Sequence, residues 1–283
     1  MIEFSKYQGV GNDFVVVALD DVSSRDLPAL ARTLCERRFG VGSDGLLVIG
    51  QAPGGLAFRM FNPDGSEDMC GNGLRCSMLW AHRAGLVSEG ESLLVHGFDG
   101  NRAATLNAVE DDARRAIVTV EMGVASFRPE SVPFAGPTDG GAPPRASLSI
   151  DGRTVEFYPL STGSAHAVVF GDDPLPEELF TKLSPLIENH PWFPERTSVM
   201  WTNPDGKGRY AVRIWERAAG ETLGCGTGET AIAAAAWESG RVDRAQPITV
   251  KSKGGELKFS LKSGSLLMTG PAEWVFDGRT IVS

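Results

Sequence analysis

The chain has 283 residues, 42% of them apolar and 22% charged, an ordinary globular composition long enough for one large domain or two of modest size. Its 27 basic and 36 acidic residues give a net charge of −9 with no dense Lys/Arg cluster to neutralise a phosphate backbone, so nucleic acid is not an expected partner. The start, MIEFSKYQGV, lacks a basic segment followed by an apolar one, and no run reaches about 18 apolar residues; neither export nor membrane insertion is signalled, and the expected location is the cytoplasm.

In chain order, apolar runs predict strands at Phe14 to Leu19, Gly45 to Ile49, Ala57 to Asn62, Ala116 to Met122, Arg153 to Leu160 and Tyr210 to Trp215. Between the first two, Leu27, Leu30, Ala31, Leu34 and Cys35 recur at helical spacing. They predict a surface helix from Leu27 to Arg38, ended by the glycine-rich FGVGSDG. Two stretches open on Cys-Gly-x-Gly, CGNGLRCSMLWAHRAGL from Cys70 and CGTGETAIAAAAWESGRV from Cys225. Each continues as a helix-like run to a glycine fifteen residues after its cysteine, Gly85 or Gly240, and each cysteine has a glycine five residues before it, Gly65 or Gly220.

A β-rich stretch follows both blocks, SLLVHGF and PITVKSK, and GVGNDFVVV is echoed by TGSAHAVVF. Such self-similarity marks an internal duplication, hence two homologous lobes. The Pro- and Gly-rich segment Glu130 to Ala146 is the best linker candidate, with a lobe boundary near residue 123.

Four cysteines are too few for a disulfide scaffold. Cys35 and Cys76 sit among apolar neighbours on helical patterns and read as small buried hydrophobes. Cys70 and Cys225 do not, because packing gives no reason to repeat the same glycine-flanked turn. A cysteine at a helix N-terminus faces outward-pointing amide N–H groups and a partial positive charge, which bind a carboxylate and favour thiolate over thiol. Two such cysteines facing each other across a cleft suit inversion of an α-carbon: one removes the α-hydrogen as thiolate, the other returns a proton to the opposite face as thiol. No P-loop, no GxGxxG after a strand, no zinc spacing among the four histidines and no pyridoxal site is evident, so no cofactor or metal is expected.

At KYQGVGNDFVVV, RRFGVGSDGLL, FNPDGSEDMCGNGLRC, STGSAHAVVF and RIWERAAGETLGCGTG, in that order, the chain resembles the diaminopimelate epimerase family over nearly its whole length. The resemblance implies an α+β fold of two pseudo-symmetric lobes, each a β-barrel-like sheet around a central helix, with the active site in the cleft between them. Residues 1–123, completed by about 273–283, would form the N-terminal lobe and 124–272 the C-terminal one. It implies Cys70 and Cys225 as the catalytic acid/bases, assisted by His166 and Glu216. Gly71, Asn72, Gly226 and Thr227 would hold the carboxylate at the reacting centre. Asn12, Asn62, Ser164, Ser198, Glu216 and Arg217 fall on substrate-contacting positions, and the planar fork of Arg217 suits the second carboxylate of a two-headed substrate. Ser164 and Ser198 stand where the family commonly has asparagine, and Ala165 where it has proline, changes that bear on specificity rather than reaction type.

The implied reaction converts LL- to meso-diaminopimelate in lysine and peptidoglycan precursor biosynthesis. Two other readings remain at this point. A racemase of a single-headed amino acid, such as histidine or another basic residue, would use the same cysteines and owe little to Arg217. A redox or binding module would pair the cysteines reversibly and exchange no α-hydrogen. The expected partner is a small amino-acid substrate; the sequence does not fix the oligomeric state and is compatible with a homodimer.

Overall fold

Short alternating apolar runs separated by glycine turns make strand the commonest element of this chain, and the computed structural model, which describes residues 1–281, is α+β. In chain order its elements are β1 (Ile2–Gly9), β2 (Asn12–Ala18), α1 (Leu19–Val22), α2 (Leu27–Cys35), β3 (Gly45–Ala52), β4 (Gly55–Phe61), β5 (Glu67–Asp68), α3 (Gly71–Arg83), β6 (Ser92–Gly97), β7 (Gly100–Glu110) and β8 (Arg115–Gly123). Then follow β9 (Ala146–Ile150), β10 (Arg153–Ser161), β11 (Ala165–Phe170), α4 (Glu177–Glu188), β12 (Ser198–Pro204), β13 (Arg209–Glu216), β14 (Gly220–Thr222), α5 (Gly226–Glu238), β15 (Ile248–Ser252), β16 (Gly255–Lys262) and β17 (Ser265–Thr280). These form two compact units, Met1–Glu121 with the chain from Thr269, and Met122–Met268.

In the first unit eight strands close into a barrel. β1 pairs antiparallel with β17 and β2. β2 runs parallel to β3, which pairs antiparallel with β4. β4 runs parallel to β6, and β6, β7 and β8 form an antiparallel meander that returns to β17. A parallel neighbour needs a crossover. Here α1 and α2 carry the chain from β2 to β3, while β5 and α3 carry it from β4 to β6.

The second unit repeats this order. β10–β11 is antiparallel, β11–β12 parallel across α4, β12–β13 antiparallel, β13–β15 parallel across β14 and α5, and β15–β16 antiparallel. The duplication legible in two cysteine turns therefore extends through strand pairing.

The helices that follow the cysteines are the buried ones. α3 lies against β1, β4 and β7, and α5 against β10, β11, β12, β15 and β16. Every residue of α3 from Gly71 to Leu79 is buried, as is every residue of α5 from Gly228 to Trp237. A helix enclosed on all sides must be apolar or small all round, which the AIAAAAW run of α5 supplies. Both helices stop identically. The N–H of Leu86 reaches Ala81 O and that of Gly85 reaches His82 O, as Arg241 reaches Ala236 O and Gly240 reaches Trp237 O. This closure needs left-handed φ at the glycine, 76° at Gly85 and 71° at Gly240.

The amphipathic helices cover the sheets from outside. Leu27, Leu30, Ala31, Leu34 and Cys35 of α2 pack on Val15, Val17, Leu46 and Val48, each buried Leu contributing about 1.5–3 kcal/mol over an exposed one. α2 ends at Cys35, earlier than the expected Arg38. Glu36 leaves helical geometry (φ −59°, ψ 120°), and the N–H groups of Val41 and Gly42 take Leu34 O while that of Ser43 takes Cys35 O.

The segment Glu130 to Ala146 is not the linker its composition suggested. Val132 and Phe134 are buried in the second unit's core, where the Phe134 ring meets Phe157, Trp192 and Phe193 at centroid distances of 6.0, 6.0 and 5.0 Å. Apolar anchors outweighed the Pro/Gly composition. The chain instead passes between units inside β8, at Glu121/Met122, and inside β17, at Met268/Thr269. Among the described residues no helix is long and apolar enough to cross a membrane.

Candidate active site

Both singled-out cysteines are helix N-caps. Cys70 (φ −140°, ψ 109°) caps α3 and Cys225 (φ −133°, ψ 103°) caps α5; each Sγ accepts from the N–H three residues on, Gly73 or Gly228, at 3.4 Å. Each carbonyl takes the next N–H, Leu74 or Glu229. By helix geometry the N–H groups of Gly71 and Asn72, and of Gly226 and Thr227, have no intrahelical acceptor and point out beside the sulfur. The second glycine of each turn is closely packed, so that a side chain there would need its neighbours to shift. A Cβ at Gly73 would stand 3.0 Å from Leu47 and 3.1 Å from Phe58, and one at Gly228 would stand 2.5 Å from the Met200 sulfur.

In the first unit the β1–β2 hairpin delivers Asn12. Its two-residue turn, Val10 and Gly11, has positive φ at both positions (49° and 79°), the form that matches strand twist. Asn12 Oδ1 accepts from Asn72 Nδ2 at 3.1 Å and lies 3.6 Å from Cys70 Sγ. Its Nδ2 donates to Asp44 Oδ2 at 3.0 Å. Arg37 bonds both Asp13 and Asp44, and Lys6 pairs with Asp13. Burial would raise the Asp13 carboxyl, but hydrogen bonds and charge from Lys6 and Arg37 outweigh it and hold the group below the usual carboxylate range. Asn62 stands in a tight turn, donating from Nδ2 to Ser66 Oγ at 3.0 Å. Sequence reasoning missed Asp44, which fixes the Asn12 amide.

In the second unit the corresponding residues form one connected set. Thr227 Oγ1 lies 3.4 Å from Cys225 Sγ and 3.5 Å from Ser164 Oγ, and Ser164 Oγ lies 3.1 Å from His166 Nε2. His166 sits opposite Ser198 in the parallel β11–β12 pair. Ser198 Oγ accepts the Arg217 N–H at 3.1 Å, and Arg217 Nη1 donates to Glu195 O at 3.2 Å. Glu216, at the end of β13, accepts from Thr222 Oγ1 at 2.6 Å and lies beside Cys225. Ser164 and Ser198 thus each engage the protein itself. Thr162, which donates to Thr227 O at 2.8 Å, and Thr222 are supports that sequence reasoning did not name.

The electrostatics correct one expectation. A helix N-terminus favours thiolate, yet Cys225 is pushed well above the ordinary thiol range, first by burial and then by the Glu216 carboxylate, with Thr227 and Gly228 opposing only in part. The helix end contributes about 0.3–1 kcal/mol at typical exposure, less than it costs to ionise a fully buried thiol beside a carboxylate; burial wins, and Cys225 is a thiol. Burial, with Arg217 adding to it, lowers His166 to about 3, so this imidazole is neutral at pH 7 and acts as a hydrogen-bonding group rather than a titrating one. Cys35 and Cys76 are buried as expected, and burial pushes the Cys76 thiol up to about 12.

Replacing Glu216 by Gln removes a negative charge that opposes ionisation of Cys225, so the Cys225 thiol should ionise at lower pH. Alkylation of the Cys225 peptide by iodoacetamide, followed against pH by mass spectrometry, should have its midpoint displaced downward; an unmoved midpoint would assign the elevation to burial alone. Among the described residues no cluster of three or more His, Cys, Asp or Glu side chains is placed to hold a metal ion.

The diaminopimelate epimerase family pattern matches residues 4–128 and 158–275. Proteins named diaminopimelate epimerase from Desulforudis audaxviator and Moorella thermoacetica are 41% and 39% identical over 285 and 280 residues, covering 99% and 98% of both chains. Crystal structures of a probable proline racemase from Agrobacterium radiobacter and a hydroxyproline epimerase from Agrobacterium vitis align with TM-scores of 0.71 and 0.70 at 16% identity. They cover 100% and 98% of this chain and 94% and 91% of theirs, a likeness of fold.

Proposed function

The chain belongs to the diaminopimelate epimerase family, and from that premise we propose that it inverts one α-carbon of diaminopimelate, LL to meso, with Cys70 and Cys225 as paired acid/bases. The observation that carries this is the repetition of one device: a cysteine capping a buried helix, its sulfur beside amide N–H groups the helix leaves unused. In one direction the Cys70 thiolate takes the α-proton and the Cys225 thiol gives its own to the opposite face; the reverse reaction exchanges the roles. The elevated Cys225 thiol supports its assignment as the acid in the free protein.

The carbanion formed between the two transfers delocalises into its carboxylate. The N–H groups of Gly71, Asn72, Gly226 and Thr227 suit that developing charge, because they are preorganised donors at helix N-termini. Neutral His166 and Glu216 suit the reacting amino group, and the guanidinium of Arg217 the distal carboxylate. Asn12 and Asn62, with Ser164 and Ser198, complete the polar contacts. The reaction needs no cofactor, since one side chain takes the α-proton and another supplies its replacement, and it serves lysine and peptidoglycan precursor synthesis in the cytoplasm.

A substrate panel tests the reading. The reduced protein is incubated with LL-diaminopimelate, L-histidine, L-lysine and L-glutamate, and the products are separated by chiral chromatography. Meso-diaminopimelate appears and the other three remain L; racemisation of one of them without diaminopimelate turnover would replace the substrate, and no inversion under reducing conditions would overturn the activity.

A further inference from the structure

Glu188 is the last residue of α4 and its side chain is 6% exposed. A carboxylate is disfavoured there, because a helix C-terminus carries partial negative charge, so something outside the helix must hold it. Three donors do. Oε2 accepts from Trp215 Nε1 at 2.7 Å, and Oε1 accepts from Ala218 N at 2.8 Å and Arg196 Nη1 at 3.2 Å. Trp215 and Ala218 flank the pair Glu216–Arg217. Ala218 has φ +66°, a left-handed conformation that costs a non-glycine residue free energy and persists only when held.

We propose that Glu188 is the positioning residue of the Glu216–Arg217 turn, gripping it at both ends so that the Glu216 carboxylate stays beside Cys225 and the Arg217 backbone stays on Ser198 Oγ. The catalytic half of this inference rests on the reading that Glu216 and Arg217 serve the substrate. Glu188 touches neither Cys225 nor any atom assigned to substrate; it acts through the turn. An acceptor-only carboxylate is what the site requires, since all three neighbours are N–H donors.

Glu188→Gln keeps the shape and sets an NH2 against one of those donors, releasing one end of the turn. Three readouts follow. Exchange of the Ala218 amide or the Trp215 indole N–H accelerates, by NMR. The pH midpoint for alkylation of Cys225 moves down toward that of Glu216→Gln, because a displaced Glu216 opposes ionisation less; a merely structural role would not move it. kcat/KM on LL-diaminopimelate falls about tenfold. Trp215→Phe, which deletes the indole donor and keeps a ring against Phe180, moves the same readouts in the same direction and decides the matter should Glu188→Gln not fold. Wild-type exchange and a wild-type Cys225 profile in the folded variant would overturn the proposal. A shifted profile in a protein whose wild type turns over no diaminopimelate would keep the positioning role and overturn the substrate reading instead.

Discussion

Cys70→Ala and Cys225→Ala should each lower kcat/KM for LL-diaminopimelate by roughly 10³-fold or more. A positioned acid or base is worth about 10²–10⁴-fold, and inversion needs one on each face, so neither cysteine can substitute for the other. The folds should survive, because alanine is tolerated at a helix N-cap for about 0.5–2 kcal/mol. Each variant, assayed by chiral chromatography with thermal unfolding as a control for folding, should unfold within a few degrees of wild type while losing turnover. Retained turnover in either variant would remove that cysteine from the mechanism.

Arg217→Ala should be the next most damaging change. Its side chain is exposed and, among the described residues, makes a single hydrogen bond, to the Glu195 carbonyl, so little stability depends on it. A substrate carboxylate left without its guanidinium partner loses about 2–5 kcal/mol, roughly 30- to several-thousand-fold, expressed mainly as a higher KM if the contact is equal in ground and transition states. Steady-state kinetics on LL-diaminopimelate separates kcat from KM. A loss below about threefold would indicate that the distal carboxylate is held elsewhere and would favour a single-headed substrate.

Much of this was legible in the sequence, for a physical reason. Duplication wrote the Cys-Gly-x-Gly turn twice at matched spacing, and the periodicity of Leu27, Leu30, Ala31, Leu34 and Cys35 marked α2's buried face directly. What escaped was long-range. Asp44 meets Asn12 across the β2–β3 crossover, and Glu188 meets Ala218 thirty residues on, contacts that exist only after the parallel strands are in place. One local sign of Glu188 was present: it shares the helical face of Phe180, Leu183, Ser184 and Ile187, where a charged residue must find partners.

The ionisation of Cys225 escaped for a related reason. The helix N-terminus is visible in the sequence, whereas the β13–β14 hairpin that folds Glu216 back toward the thiol, and the burial that outweighs the dipole, are not. The Pro/Gly-rich stretch after residue 130 misled in the opposite direction, its two apolar anchors deciding its place against its composition.

The central claim is that two different side chains handle the two protons, and deuterium placement tests it directly. LL-diaminopimelate is turned over in deuterium oxide by the reduced wild-type protein, and both recovered substrate and product are analysed early in the reaction. Two cysteines on opposite faces predict meso product carrying one α-deuterium while recovered LL substrate is still protiated, because the incoming proton comes from a solvent-exchanged thiol that never held the outgoing one. Equal deuteration of recovered substrate and product would mean one base serves both faces, and would contradict the assignment of Cys70 and Cys225 as a pair.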